Sequence, residues 1–187
     1  MTETVFLSGS RKITRLNETI RARLKKMIEK RLRIIVGDAK GADKALQEYL
    51  ANLGYEFVVV FCAGSSCRNN VGTWSTSKVE VKSSLKGRDF YAQKDKAMAA
   101  EADYGFVLWD GKSTGSLNNV LEVMKNGKPV VVYFSPKKEF YTLREARDVE
   151  KLLERCDEHD YRDMNDKIHV TRRLKDLHPT PQGVLSL

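Results

Sequence analysis

Residues 103–119 read Asp-Tyr-Gly-Phe-Val-Leu-Trp-Asp-Gly-Lys-Ser-Thr-Gly-Ser-Leu-Asn-Asn, and this stretch decides the fold. Its apolar run, residues 104–109, is short enough to be a buried strand. A loop of small and hydroxyl residues follows, and then apolar residues recur at helical spacing until residues 127–129 (Gly-Lys-Pro) end the helix. The free N–H groups at such a helix start favour an anion above the strand end, most often a phosphate. A plain strand-to-helix turn with a Ser/Thr cap would give the same pattern.

The same order of strand, loop and helix occurs elsewhere in the chain. Strands are predicted at residues 5–7, 32–36, 57–61, 104–109 and 129–134, and helices at about 17–30, 42–53, 89–101, 117–126 and 143–156. This alternation predicts a Rossmann-like α/β fold, in which a mainly parallel sheet of about five strands has helices on both faces.

The predicted domain covers residues 1–156, and residues 157–187 form a polar C-terminal extension. Within the extension, residues 169–171 could add an edge strand. Residues 64–87 interrupt the alternation with many glycines, serines and asparagines. A loop of this length is usually functional or mobile, so it is either a lid over a site or a tolerated surface insertion.

Composition restricts the function classes. No apolar run approaches the roughly 20 residues of a membrane helix, and no secretory signal is recognisable, so we expect a cytoplasmic protein without a membrane partner. The net charge of +8 permits binding of nucleic acid, but the basic residues are spread along the chain, so this partner is not favoured. Cys62, Cys67 and Cys156 are odd in number and form no Cys-x-x-Cys pair, which predicts free thiols and argues against zinc.

In a sheet of this kind, ligands bind beyond the carboxyl ends of the strands. Arg11 could hold a phosphate or carboxylate bidentately, and Gly41 could let a ligand approach the start of the second helix. Asp38 is a candidate for a ribose hydroxyl or base edge, whereas a helix-cap role alone would also explain Asp43. The complete set of candidate ligand-binding residues is Gly9, Ser10, Arg11, Gly37, Asp38, Lys40, Gly41, Asp43, Lys94, Asp110, Gly111, Ser113, Thr114, Gly115, Ser116 and Asn119.

Several common site types are not indicated. The glycine spacing matches neither the Gly-x-Gly-x-x-Gly nor the Walker A pattern. His159, His169 and His178 lie in the polar C-terminal segment, away from the predicted strand ends, so no Ser/His/Asp triad is suggested. No cluster of metal ligands stands out, and we expect neither a metal nor a cofactor.

The ordered set of motifs resembles the SLOG superfamily, and its YpsA-related branch in particular. The motifs are Gly9-Ser10-Arg11, Gly37-x-x-x-Gly41-Ala42-Asp43, Lys94-Asp95-x-x-Met98, Ala102-Asp103 and Asp110-Gly111-x-x-x-Gly115-Ser116. This Rossmann-like group includes the DNA-processing Smf proteins and the cytokinin-activating lonely-guy enzymes. The resemblance covers roughly residues 4–134 and implies a nucleotide or nucleotide-derived ligand without fixing an activity. It also implies a homo-oligomer, for which Trp74 and Tyr141 offer exposed aromatic side chains.

The phosphoribohydrolase members of the superfamily carry an arginine and a glutamate that support cleavage of an N-glycosidic bond. At the matching positions this sequence has Lys94 and Asn119, and an amide cannot act as a general base. We therefore favour a nucleotide-binding protein, with a sensor as one form of it. The first alternative is a hydrolase of the N-glycosidic bond that uses Asp110, Asp95 or Asp38, since Glu122 could replace the missing glutamate only if its helix shifts. The second alternative is a DNA-binding protein, by analogy with the Smf members.

Overall fold

One seven-stranded sheet forms the middle of the molecule in the computed structural model, which describes residues 2–177. The strands are β1 (Thr4–Gly9), β2 (Arg33–Gly37), β3 (Val58–Ala63), β4 (Ser75–Val79), β5 (Tyr104–Trp109), β6 (Val130–Phe134) and β7 (Glu139–Leu143). They lie in the order β4-β3-β2-β1-β5-β6-β7. Strands β1 to β6 are parallel and β7 is antiparallel to β6. The predicted Rossmann-like α/β class is thus confirmed.

Seven helices within the described residues flank the sheet. They are α1 (Glu18–Glu29), α2 (Ala42–Asn52), α3 (Gly87–Glu101), α4 (Thr114–Lys125), α5 (Ala146–Leu153), α6 (Glu158–Ile168) and α7 (Val170–Leu177). Local capping explains where several of them begin. Asn17 accepts a hydrogen bond from Ile20 N at the start of α1, and Asp157 accepts bonds from the first turn of α6.

Two hydrophobic cores cover the two faces of the sheet. Successive residues of a strand point to opposite faces, so Val5 and Leu7 join one core while Phe6 between them joins the other. The first core lies under α1 and α2 and includes Leu24. The second lies under α3 to α7 and includes Trp109. Because both faces are covered, the central strands read as continuous apolar runs in the sequence.

Two of the seven strands were not predicted as the structure has them. Strand β4 (Ser75–Val79) lies within residues 64–87, which the sequence predicts only as a long loop. Strand β7 occupies residues before the predicted helix 143–156, which begins only at Ala146. Its pairing with β6, with Leu143 opposite Val130, depends on a turn in which Lys138 has a φ of 56°.

The prediction of an edge strand at residues 169–171 is wrong. His169 ends α6 in the left-handed conformation, and Val170 begins α7. Val170 and Leu174, four residues apart, face the core together with Met164, so burial favours a helix here. His178 and the prolines at 179 and 181 lie outside the described residues.

The prediction of free thiols is wrong for two of the three cysteines. Cys62 and Cys67 form a disulfide, because the chain turns back after β3 and brings their Cα atoms to 5.0 Å. Cys156 is a free thiol, and burial raises its pKa to about 12.

Within residues 2–177, no helix has the length and apolar character that crossing a bilayer demands.

The two aromatic side chains that were expected to be exposed are packed instead. The Trp74 indole N–H donates to the Tyr55 carbonyl oxygen at 2.8 Å, and Tyr141 packs edge-on against Phe134. Both side chains are half-buried. Each therefore exposes only part of its ring, and the homo-oligomer stays a prediction.

Candidate functional site

A cavity of about 510 Å³ opens at the carboxyl ends of β1 and β5. The chain runs from β1 outward to β4 on one side and returns as β5 on the other side of β1. This is the point at which the strand order reverses, where α/β folds of this kind bind ligands. The predicted site residues that line the cavity are Gly9, Ser10, Arg11, Asp43, Lys94, Asp95, Asp110, Ser113, Gly115, Ser116 and Asn119.

Six other candidates lie outside the cavity lining, namely Gly37, Asp38, Lys40, Gly41, Gly111 and Thr114. Gly41 has a φ of 81°, and a Cβ there would lie 2.3 Å from the Arg11 carbonyl oxygen. The glycine is therefore needed so that the loops after β1 and β2 can touch, which replaces its expected role in ligand approach. Lys40 is exposed beside this contact. Gly111 is buried, with a φ of 77°, and faces the Phe134 ring.

The loop after β5 is organised by Asp110. Its Oδ1 accepts hydrogen bonds from the N–H groups of Lys112 and Ser113, at 3.1 and 2.8 Å. Ser113 in turn caps α4 by accepting from Ser116 N. The positive end of α4 is thereby held at the cavity, with Ser113, Gly115 and Ser116 in its lining.

A buried group of charges forms beneath the loop after β2. Lys94 and Asp43 are almost fully buried, and Lys94 Nζ donates to Asp95 Oδ1 at 2.7 Å. A Cβ on Gly37 would lie 2.3 Å from Asp43 Oδ2 and 2.9 Å from Lys94 Nζ, so only glycine leaves room for this pair. The role of Gly37 is thus to make space for the charged side chains.

The surroundings shift the pKa values of these groups. Burial raises the pKa of Asp43 to about 6, against the opposing charge of Lys94. Burial alone would lower the pKa of Lys94, but the charges of Asp95 and Asp43 outweigh it and hold that pKa above its ordinary value. Asp43 also accepts a 3.1 Å hydrogen bond from Ala39 N, so it stabilises the loop as well as lining the cavity.

Asn119, at the position where the phosphoribohydrolases that the sequence resembles carry glutamate, belongs to the cavity floor. In the amide orientation that satisfies its neighbours, its nitrogen donates to Asp95 Oδ2 and the Gly115 carbonyl, and its oxygen accepts from Ser8 Oγ. Glu122, one turn further along α4, accepts a 2.8 Å hydrogen bond from Arg173 Nη2. Glu122 is therefore engaged by α7 and lies outside the cavity lining.

Asp38 is held by Arg68, which comes from the long segment after β3. The Arg68 backbone N–H and Nε donate to Asp38 Oδ2, and Nη2 donates to Oδ1 at 2.6 Å. Burial raises the pKa of Asp38, but the Arg68 hydrogen bonds and charge more than offset it and hold that pKa below its ordinary value. Asp38 lies outside the cavity lining and is held by Arg68, so its role in contacting a ribose or in catalysis stays a prediction.

Arg68 and Arg11 also share an aromatic neighbour. The Arg68 guanidinium carbon lies 4.0 Å from the centroid of the Tyr91 ring, and that of Arg11 lies 6.0 Å from it. Such contacts between a cation and an aromatic face are attractive. They place two guanidinium groups at the cavity beside Tyr91 of α3.

The lining carries more positive than negative charge. Its three carboxylates are Asp43, Asp95 and Asp110, and its six basic side chains are Arg11, Lys12, Arg68, Arg88, Lys94 and Lys112. Two of the basic side chains are bound by residues of α6, which lies outside the cavity lining. Lys112 Nζ pairs with Asp160 at 2.9 Å, and Arg88 donates to the Lys167 carbonyl oxygen. The excess of basic groups in a concave site favours an anionic ligand.

Sequence reasoning missed several residues of the lining, including Lys12, Arg68, Arg88, Tyr91 and Lys112. Lys12 directly follows the predicted loop Gly9-Ser10-Arg11, and Lys112 lies within the predicted loop after β5. The available signal for both lysines was therefore that candidate site residues adjoin them. Tyr91 lies one turn before Lys94 on the predicted helix face. Arg68 gave no local signal, because its place depends on how the segment after β3 folds back.

No family model matches the sequence, and neither does any curated protein. Among solved structures, DNA processing protein A from Helicobacter pylori, whose single-stranded DNA binding mode has been described, has a similar fold. The TM-score is 0.55 at 18% sequence identity, and the match covers 94% of this chain and 82% of that chain. At this identity the likeness shows the fold alone. The similar protein is a DNA-processing protein, one of the groups that the SLOG resemblance names.

Proposed function

We propose that the protein binds a nucleotide or a nucleotide-derived phosphorylated compound in the cavity at β1 and β5, and that it acts as a sensor of that ligand. In this proposal it belongs to the YpsA-related branch of the SLOG superfamily. The supporting observation is the set of six basic side chains around one cavity at the strand-order reversal. The volume of about 510 Å³ lies within the range of roughly 300–1,000 Å³ that is typical of small-molecule sites.

The arrangement divides the lining by chemistry. Arg11 is exposed and can offer a bidentate fork to a phosphate, next to the positive end of α4 at Ser113 and Ser116. Tyr91 supplies an aromatic surface beside the arginines. The Asp95 carboxylate accepts hydrogen bonds from Lys94 and Asn119, so its charge is largely balanced within the floor. A phosphate would therefore meet exposed basic groups such as Arg11 before it reaches the balanced charges of the floor.

Titration calorimetry with adenine nucleotides, guanine nucleotides and ADP-ribose at one fixed ionic strength tests this proposal. We expect binding by at least one of these compounds and a loss of about tenfold or more in affinity for Arg11→Ala, because charged hydrogen bonds contribute about 1.5–3 kcal/mol. Arg15→Ala is the matched control, since Arg15 is also exposed but lies outside the cavity lining. Absence of binding across the panel would contradict the proposal, as would equal losses in both variants.

A second candidate is hydrolysis of the N-glycosidic bond of a nucleotide. The observation that favours it is Asp43, because a carboxyl group in the cavity lining with a pKa of about 6 suits general acid–base chemistry near neutral pH. Release of free base from nucleoside monophosphates would be measured for the wild type and for Asp43→Asn, Asp95→Asn and Asp110→Asn. Loss of turnover in one variant identifies its carboxylate, whereas no release by the wild type excludes this candidate.

A third candidate is binding of single-stranded DNA. It is favoured by the fold shared with DNA processing protein A, together with the net charge of +8. Affinity for an oligonucleotide would be measured at several salt concentrations, since each phosphate contact adds to the slope of log affinity against log salt. A steep slope that Arg11→Ala leaves unchanged would place DNA on another surface.

A further inference from the structure

The disulfide between Cys62 and Cys67 ties the end of β3 to the segment that carries Arg68. We define this crossover segment as residues 64–74, which connect β3 to the parallel strand β4 without a helix. Cys62 is fully buried, whereas Cys67 is partly exposed and directly precedes Arg68. The position of the disulfide thus fixes the chain at the residue before a basic group of the cavity.

Hydrogen bonds hold the other side of the same short stretch. Three donor groups of Arg68 bond to the Asp38 carboxylate, and Asn69 Nδ2 donates to the Asp38 carbonyl oxygen at 2.8 Å. Gln47 adds two bonds on the far side of Arg68: its Nε2 donates to the Asn69 carbonyl oxygen at 3.5 Å, and its Oε1 accepts from Val71 N at 2.9 Å. The stretch around Arg68 is therefore held by the disulfide before it, by the Asp38 bonds at Arg68 itself and by the Gln47 bonds after it.

We propose that Cys62 and Cys67 form a reversible dithiol–disulfide site, and that its reduction by a dithiol reductant releases Arg68 from the cavity and weakens ligand binding. The effect on affinity rests on the function proposed above. The effect on the position of Arg68 does not, because it follows from the loss of the covalent anchor alone.

The exchange proceeds through the accessible sulfur. One thiolate of the reductant attacks Cys67 Sγ, the Sγ–Sγ bond breaks, and Cys62 leaves as a thiolate that takes a proton from solvent. The second thiol of the reductant loses its proton and attacks the mixed disulfide at the reductant's own sulfur, so that Cys67 leaves as a thiolate and is protonated. In total, two electrons and two protons pass from the dithiol to the protein, and the reductant becomes a disulfide.

Reduction changes the lining in a defined way. Without the covalent anchor, the crossover segment can leave β3, and the bonds of Arg68 to Asp38 then open more often. Each opening removes one of the six basic side chains from the cavity and uncovers one face of Tyr91. The anionic ligand then loses a guanidinium, so its affinity falls, by about fivefold in the reduced protein.

The first experiment uses the full chain with Cys156→Ser, which leaves only the two cysteines of this site. Thiol counting after unfolding should give none before reduction and two after it. Hydrogen exchange should then show the Arg68 amide exchanging at least tenfold faster in the reduced protein, while the amides of α4 are unchanged. Two thiols before reduction, or equal exchange of the Arg68 amide in both forms, would overturn the proposal.

The second experiment measures binding of inorganic pyrophosphate to both forms. We expect about fivefold weaker binding after reduction, and no difference between the forms in an Arg68→Ala variant. Equal affinity in both forms, together with faster exchange at Arg68, would show that reduction releases Arg68 without weakening ligand binding. That result would overturn the proposed effect on affinity. Binding to neither form would count against the proposed function, while the exchange result would still decide whether reduction releases Arg68. Cys67→Ser, which removes only the partly exposed cysteine, should behave as the reduced protein does.

Discussion

The Ser10 hydroxyl donates a 2.7 Å hydrogen bond to Asp110 Oδ2, although the two residues are 100 positions apart in the chain. Ser10 follows β1 and Asp110 follows β5, the two strands that flank the strand-order reversal. The Ser10 backbone also donates to the Leu108 carbonyl oxygen at 2.8 Å. Ser10 is almost fully buried. This pair therefore sets how far apart the two loops stand at the floor of the cavity.

We expect Ser10→Ala to lower the free energy of unfolding by about 1.5–3 kcal/mol, because a buried hydrogen bond to a carboxylate is lost. Asp110→Asn should also destabilise the protein, and the double variant should cost less than the sum of the two, since both act on one bond. Urea denaturation measures all three. Ser65→Ala, at an exposed serine, is the control and should change stability by less than about 0.5 kcal/mol. Strict additivity would mean that the pair is not coupled.

Gly41→Ala should destabilise the protein far more than Gly54→Ala. Both glycines have a positive φ, but a Cβ on Gly41 would overlap the Arg11 backbone, whereas a Cβ on Gly54 would meet nothing within 4 Å. We expect a loss of about 1 kcal/mol at Gly54 from backbone strain alone and at least about 3 kcal/mol at Gly41, where overlap adds to strain. Chemical denaturation of the two variants compares them directly. Similar losses would show that the loops separate at little cost.

The loops at the strand ends and Gly41 show which features of the site can be predicted from the sequence and which cannot. The loops after β1, β2 and β5 were predictable because a short apolar run ends at each of them in small or polar residues. These loops supply much of the cavity lining. The purpose of Gly41 was not predictable. A glycine in a loop indicates a positive φ or a close approach, and only the structure shows that the partner is the Arg11 backbone.

The remaining failures have a common physical origin in contacts between distant segments. Arg68 reaches Asp38 from 30 positions away, and nothing local to either residue indicates the pairing. The disulfide of Cys62 depends on the same fold-back of the crossover segment. Strand β7 exists because it pairs with β6, while its own sequence reads as a connection to the following helix.

Stability should depend on pH through Asp43. Because burial raises its native pKa to about 6 from 3.8, the native state keeps a proton that the unfolded state has lost between these pH values. The free energy of unfolding should therefore fall as pH rises from about 4 to 6, by at most about 1.4 kcal/mol per pH unit from this group. Asp43→Asn, which resembles the protonated form, should remove this part of the slope.

The measurement is urea denaturation of the wild type and Asp43→Asn at several values between pH 4 and 7. Asp38 does not confuse the result, because its native pKa lies below 3.8 and its contribution is lost only at lower pH. Asp163→Asn is the control, since Asp163 is an exposed partner of Lys167, and this variant should keep the wild-type slope. An Asp43→Asn slope equal to that of the wild type would rule out this titration.

The helices of the C-terminal segment should unfold together with the rest of the protein. Met164 in α6 is fully buried and belongs to the same core as Trp109. Met164→Ala should lower the free energy of unfolding by about 2–5 kcal/mol, as large-to-small changes in a core do. Tryptophan fluorescence, to which Trp109 and Trp74 both contribute, and helical circular dichroism should still report one coincident transition. Asp166→Ala on the exposed side of α6 is the control, and an earlier, separate loss of helix would indicate an independent C-terminal unit.

Strand β4 has a further consequence at the border of the sheet. It is only five residues long and is one of the two outermost strands. Its sequence Ser-Thr-Ser-Lys-Val places hydroxyls and an exposed lysine where another chain would have to add. Short, polar, charged edges of this kind discourage sheets from growing between molecules. The aliphatic strands β3, β2 and β1 behind it are thereby shielded at this border from pairing with another chain, which matters because apolar segments of high β-propensity form fibrils when exposed.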